Sequence, residues 1–147
     1  MHPQIHLNYA AVILAAILSF VFSFLWYGPL FGKTWARLQG MDMTKKPDSS
    51  FMTRAMALQL LGLIFTAYVL AYTDNVWRPS NWAFGNQDKP GYVYGFLGGF
   101  FTWLGFYIPT LLGSSTWEGK PWKLFYLNAA YNFLNLQIIS MVVACWR

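Results

Sequence analysis

Apolar and polar residues alternate along this chain in long blocks, with four apolar runs separated by three polar connections. The runs extend from about Tyr9 to Tyr27, Ala55 to Tyr72, Tyr92 to Leu112 and Leu124 to Trp146. None carries Lys, Arg, Asp, Glu or His in its middle. A helix crossing a bilayer core needs about 20 mostly apolar residues, whereas a strand of a membrane barrel needs about ten that alternate. The runs have helical length and do not alternate. They predict an all-α integral membrane four-helix bundle, a single domain over residues 1–147.

The connections agree with this reading. Aromatic residues mark the run ends at Trp26, Tyr27, Tyr72, Trp77, Tyr92, Trp117, Trp122 and Trp146, as suits lipid–water boundaries. The first connection, Phe31 to Thr53, is polar and basic. Its Lys33–Gln39 part predicts a short interfacial helix, with Trp35 and Leu38 toward lipid, Lys33 and Arg37 toward phosphate, and Gly40 as its end. Pro47 closes this loop, and Asp48, Ser49 or Ser50 caps the next helix. The second connection, Thr73 to Gly91, holds Asp74, Arg78, Asp88 and Lys89 and reads as a loop covered by Trp77, Trp82 and Phe84. The third, Gly113 to Pro121, is short, so the last two helices are antiparallel neighbours.

Positive charge orients the bundle. The first and third connections hold Lys33, Arg37, Lys45, Lys46, Arg54, Lys120 and Lys123, seven in all, against Arg78, Lys89 and Arg147, three, on the other side. Both termini are therefore expected outside (N-out/C-out), in a bacterial inner membrane. The composition fits: 56% of residues are hydrophobic and 10% charged, against about 25% charged in soluble domains. The net charge of +5 reads as basic anchors near lipid head groups rather than as a nucleic-acid surface. The first run is too long for a cleaved signal peptide and ends on bulky aromatics, so it reads as a retained helix. One cysteine, Cys145, leaves no intrachain disulfide.

Each run also carries a line of small or polar residues at helical spacing. The lines are Ala11, Ala15, Ser19 and Ser23; Ala55, Gln59, Gly62 and Thr66; Gly91, Gly95, Gly98, Thr102, Gly105 and Pro109; and Asn128, Asn132 and Asn135. Lipid tails are as apolar as leucine, so membrane helices associate through close backbone approach and side-chain hydrogen bonds. Ala11, Ala15, Gly62, Gly95, Gly98 and Gly105 are the predicted packing positions. An amide left unpaired in hydrocarbon is costly. Gln59, Asn128, Asn132 and Asn135 are therefore expected to face inward and meet Ser19, Ser23, Thr66, Thr102 or carbonyls freed around Pro109. They form either a closed network or the lining of a cavity for a small neutral molecule, a lipid head group or water.

Catalytic and cofactor chemistry finds little footing. Coupled transporters keep an ionisable residue inside the membrane, and the four runs have none. His2 and His6 are the only histidines, with no third ligand beyond Asp74 or Asp88 to complete a metal site. Ser19 and Ser23 have no base at their depth, and Cys145 reads as a buried small residue. No catalytic, cofactor or metal residue is expected. The Trp26-Tyr27-Gly28-Pro29 exit reads as an aromatic belt and helix stop. Its alternative is a docking knuckle made of Trp26, Tyr27, Pro29, Lys33, Trp35 and Arg37.

The opening Asn8-Tyr9-x-Ala11-Val12, the exit Trp26-Tyr27-Gly28-Pro29-Leu30-Phe31-Gly32-Lys33-x-Trp35, the glycine-rich third run and the closing run to Trp146 carry a likeness. With them nearly the whole chain resembles a family of small bacterial and fungal membrane proteins known as domain of unknown function number 1761. The exit is the specific part, and the Trp77–Pro90 stretch is longer and more aromatic than the family pattern. The resemblance implies the fold and brings no activity with it. The expected function is a non-enzymatic structural or accessory subunit, packing with itself as a homo-oligomer or with a larger membrane complex. Its partners are membrane lipid and other membrane subunits. The alternatives are a passive pore or carrier for a small neutral solute, and a lipid- or quinone-binding membrane protein.

Overall fold

The computed structural model describes residues 3–82 and 87–147; His2 and Phe84 lie outside them. The chain forms α1 (Tyr9–Leu25), α2 (Gly32–Gln39), α3 (Ser49–Val76), α4 (Gly91–Thr102), α5 (Ile108–Thr116) and α6 (Trp122–Cys145), with no strand among the described residues. Two π-turns, Trp26–Leu30 and Trp103–Tyr107, extend α1 and join α4 to α5. With these turns included, Tyr9–Leu30, Ser49–Val76, Gly91–Thr116 and Trp122–Cys145 are four helices long and apolar enough to cross a membrane.

Proline explains both π-turns. Pro29 has no N–H for the Leu25 carbonyl, and its ring crowds that oxygen. The turn widens instead, and the Phe31 N–H reaches five residues back to the Trp26 carbonyl at 2.8 Å. Pro109 stands in the same relation to Gly105, and there the Ile108 N–H returns to the Trp103 carbonyl. The exit at Trp26–Pro29 is thus a widened turn that leads through Phe31 into α2. Gly40, at φ 73°, ends α2 in the left-handed region.

The second long helix runs further than the apolar pattern predicts, from Ser49 rather than Ala55 and to Val76 rather than Tyr72. Asp48 is extended at φ −61° and ψ 138°, so the helix starts directly after it. At the far end the polar residues stay helical because their side chains find partners. The Asn75 amide donates to the Ala71 carbonyl at 2.8 Å, and the Thr73 hydroxyl to that of Val69 at 3.0 Å. Asp74 lies against α6.

The core joins α1, the second half of α3, and α6 through Val12, Ala15, Ala16, Leu63, Ala67, Leu70, Ala71, Leu136, Ile139 and Val143. α4 lies almost backbone to backbone on α6. A Cβ added at Gly91 would sit 2.6 Å from the Ala144 carbonyl oxygen, and one at Gly95 would sit 3.0 Å from Met141 Cα. Small residues are what permit that approach.

The connections sort to two ends. Lys120 Nζ donates to Gln39 Oε1 at 3.2 Å, which brings the first and third together. At the other end the Gln4 N–H donates to the Asn81 carbonyl at 2.9 Å. There Arg147 also reaches Asn81 and Asp88. The first half of α3 has little company: residues 49–59 are all exposed, and the helix enters the core only from Leu63.

Candidate functional site

Where α3 stands clear of the bundle, a groove of about 750 Å³ opens between it, α1, α2, α5 and α6. Five amides border it: Gln39 from α2, Gln59 from α3, and Asn128, Asn132 and Asn135 from α6. Steps of four and three residues put the three asparagines on one face of α6. Ser23, Tyr27, Thr66, Tyr107 and Tyr131 add hydroxyls, and Phe20, Phe24, Met52, Met56 and Leu111 supply apolar wall.

A polar seam between α1 and α6 forms its floor. Ser19 Oγ donates to Asn135 Oδ1 at 2.5 Å. The hydroxyls of Ser23 and Tyr131 pair with each other. Tyr27 Oη donates to Asn128 Oδ1 at 2.9 Å, and the Asn132 amide donates to the Asn128 carbonyl of its own helix at 2.8 Å. Ala11, Ala15, Ser19 and Ser23 are all buried along this side of α1.

Several predicted positions lie elsewhere than expected. Gln59 is exposed on the groove wall, so the amides do not close on one another. Thr66 turns its hydroxyl to its own Gly62 carbonyl at 3.0 Å, and a Cβ at Gly62 would meet nothing within 4 Å. The line Ala55–Gln59–Gly62–Thr66 is therefore the groove wall, and α3 packs instead through Leu63, Ala67, Leu70, Ala71 and Asp74. Small residues come to that contact from both sides, Ala15 and Ala16 from α1 and Ala67 and Ala71 from α3, with Leu63 and Leu70 between them. Gly98 is at a close contact, but a Cβ at Gly105 would meet nothing. The π-turn at Trp103–Tyr107 breaks the helical period and carries Gly105 off the packing face. Thr102 is half-buried on a different groove.

The exit motif divides. Trp26 is buried rather than presented at the surface, packed on Phe31 with ring centres 4.5 Å apart and close to Phe22 and Tyr131. Trp35 packs edge-on against Tyr27 at 5.3 Å, while Pro29, Lys33 and Arg37 remain exposed.

Sequence reasoning missed Asp74. It is 3% exposed, and Ser140 Oγ donates to its Oδ2 at 3.2 Å. A signal was present: Leu63, Ala67, Leu70 and Asp74 continue one helical line in steps of four, three and four. Beyond it the chain is clasped by Asp88. This carboxylate accepts from the Ser80 N–H at 3.0 Å, the Ser80 hydroxyl at 2.7 Å and Arg147 Nη1 at 3.1 Å. Burial acts to raise its pKa, but Ser80, Arg147 and Arg78 outweigh that and hold it below the usual carboxylate range. Arg78 is buried, with Nη2 donating to the Ala144 carbonyl at 2.6 Å and its guanidinium 4.5 Å from the centre of the Tyr94 ring. Burial, with Arg147 adding to it, lowers the Arg78 pKa from its ordinary value, while Asp88, Tyr94 and Asp74 oppose the shift.

The amide groove can therefore offer hydrogen bonds to a neutral guest, and no Asp, Glu, Lys, Arg or His borders it among the described residues. Among the same residues no group of three or more His, Cys, Asp or Glu stands close enough to hold a metal ion. No curated protein and no solved structure matches the chain. The model of one family, described as a protein of unknown function (DUF1761), matches residues 10–144, almost the full length of the bundle, and the chain belongs to that family.

Proposed function

We propose that the protein is a multi-pass protein of a cytoplasmic-type membrane that holds a small neutral, hydrogen-bonding amphiphile in the amide groove, without an enzymatic step. The observation behind this reading is the convergence of Gln59, Asn128, Asn132 and Asn135 on one groove. In hydrocarbon their unpaired donors and acceptors are costly, and a guest that pairs them is stabilised. The apolar wall suits the guest's other part. A lipid or quinone head group has the required chemistry.

Size supports a small guest. Between Met52 and Thr66 the wall is about 21 Å long, so 750 Å³ corresponds to a cross-section of roughly 36 Å², against about 80 Å² for a helix ~10 Å across. Beyond Thr66 and Asn135 the buried side chains of Ala67, Leu70, Leu136 and Ile139 fill the bundle, which favours a binding protein or carrier over an open pore. The excess of Lys and Arg at the α2 end favours N-out/C-out. Membrane-impermeant maleimide should then label the exposed Cys145 in right-side-out vesicles and not in inverted ones.

The test of the groove is add-back. Delipidated protein receives an organic extract of its own membrane, and thermal unfolding is followed. Wild type should gain stability by ligand linkage. Asn132→Leu should fold and gain little, because the Asn132 amide bonds only to its own helix. Equal gains would refute the reading.

A second reading, an accessory subunit, is supported by the exposed half of α3. Phe51 and Leu58 are 64% and 68% exposed there, and Phe65 just beyond it is 60% exposed. A second copy or another membrane protein would cover them. Cross-linking through Leu58→Cys in a Cys145→Ser background would capture such a neighbour; a monodisperse monomer with no cross-link counts against it.

A further inference from the structure

We propose that Asp74 is the binding group of a second, separate site, which takes up a lipophilic organic cation in exchange for a proton. The site is a groove of about 660 Å³ between the end of α3 and the face of α4. Asp74 borders it together with the hydroxyl residues Thr73 and Thr102 and the aromatic residues Trp77, Tyr94, Phe101 and Phe106. It shares no lining residue with the amide groove and stands independently of the function proposed for that groove.

Asp74 lies below the end of the bundle. It packs against Gly98, which is seven residues into α4 and so about 10 Å along that helix. Any Cβ at Gly98 would overlap Asp74 Oδ1, so the glycine makes room for the carboxyl. Among the described residues its hydrogen-bond donor is the Ser140 hydroxyl. The ion pairs lie elsewhere, with Arg78 and Arg147 both directed at Asp88, at 3.9 and 3.1 Å. Arg78, one turn on along α3, faces Asp88 and compensates Asp74 only in small part, and a buried carboxylate so poorly compensated is strongly disfavoured. Two states relieve it: a proton on the carboxyl, or a cation beside it.

The surroundings select the kind of cation. α4 and α6 bring Gly98 and Ser140 against Asp74, neither of them a charged residue, and Tyr94 lines the same groove. The charged groups lie on the aqueous side: Lys89 at the rim, with Arg78, Asp88 and Arg147 in the clasp beyond. Lys89 and Arg78 oppose a small hydrated cation coming from that side. The lateral side is aromatic, with Trp77, Phe101 and Phe106 at 76%, 61% and 72% exposed. Aromatic faces attract a desolvated cation, so an organic ammonium or phosphonium ion can enter from the apolar side and reach the carboxylate. The exchange balances: the cation binds as the protonated Asp74 releases one proton to solvent.

The probe is tetraphenylphosphonium, titrated into the purified full-length protein in detergent, with heat and proton release recorded. Wild type should bind with release of a proton, and its affinity should rise at least about tenfold from about pH 5.5 to about pH 8.5. Asp74→Asn keeps the shape of the side chain and should lose both the proton release and most of the affinity. Phe101→Leu, on an exposed wall, should weaken binding severalfold and keep the proton release. The wild-type pH dependence and Phe101→Leu decide the matter even if Asp74→Asn does not fold. No binding by wild type, pH-independent binding, or unchanged binding by a folded Asp74→Asn would overturn the proposal.

Discussion

The hydroxyl of Ser140 donates to Asp74 Oδ2 at 3.2 Å, tying α6 to the last turns of α3 across 66 residues of chain. Both residues are buried, at 0% and 3% exposure. Ser140→Ala leaves the carboxyl without this donor. Denaturant unfolding in detergent should show a loss of about 0.5–2 kcal/mol. Unchanged stability would mean that the contact does not help hold α6 to α3.

The glycines of the third long helix should divide at the π-turn. Gly95 lies against Met141 and Ser140, whereas Gly105 faces open space. Gly95→Leu should cost about 1–3 kcal/mol by forcing α4 off α6. Gly105→Leu should stay within about 0.5 kcal/mol of wild type. Equal sensitivity would show that the packing line runs unbroken through Trp103–Tyr107.

These contrasts mark what the residue pattern could convey. Four long helices follow from run length alone, and Gly40 is the expected stop of α2. The line Ala11–Ala15–Ser19–Ser23 identifies the buried side of α1 because nothing interrupts its period. Gly105 does not follow, since a widened turn rotates everything after it and leaves composition unchanged. The start of α3 was legible in the cap, since Asp48 is its N-cap and the helix begins at Ser49. Its far end was not, because Thr73 to Asn75 are polar and polarity alone reads as loop. Those residues stay helical through bonds to Val69 and Ala71 of their own helix and, for Asp74, to Ser140, which arrives from distant sequence. Gln59 was expected inside because an amide avoids lipid; the fold puts it on a groove wall instead.

Asp88 gives the clasp a pH dependence. Its folded pKa is held down by Ser80, Arg147 and Arg78 against the opposing effect of burial. A depressed carboxylate stabilises the fold fully above its unfolded value, near ~3.9, and that contribution is lost as pH falls through the lower folded value. Between about pH 6 and about pH 3, the melting temperature of wild type should fall further than that of Asp88→Asn. Asp42 and Asp48, also depressed, are common to both proteins and cancel in the comparison. Parallel curves would show that Asp88 contributes nothing to the clasp.

The convergence of Gln59 and the three asparagines on the groove is tested most directly by weighing the protein with what it carries. Native mass spectrometry of gently extracted wild type should show a bound neutral molecule of defined mass. The double variant Gln59→Leu, Asn132→Leu should fold, melt close to delipidated wild type and lack that mass. A wild type with no added mass, or a double variant that retains it undiminished, would contradict the account.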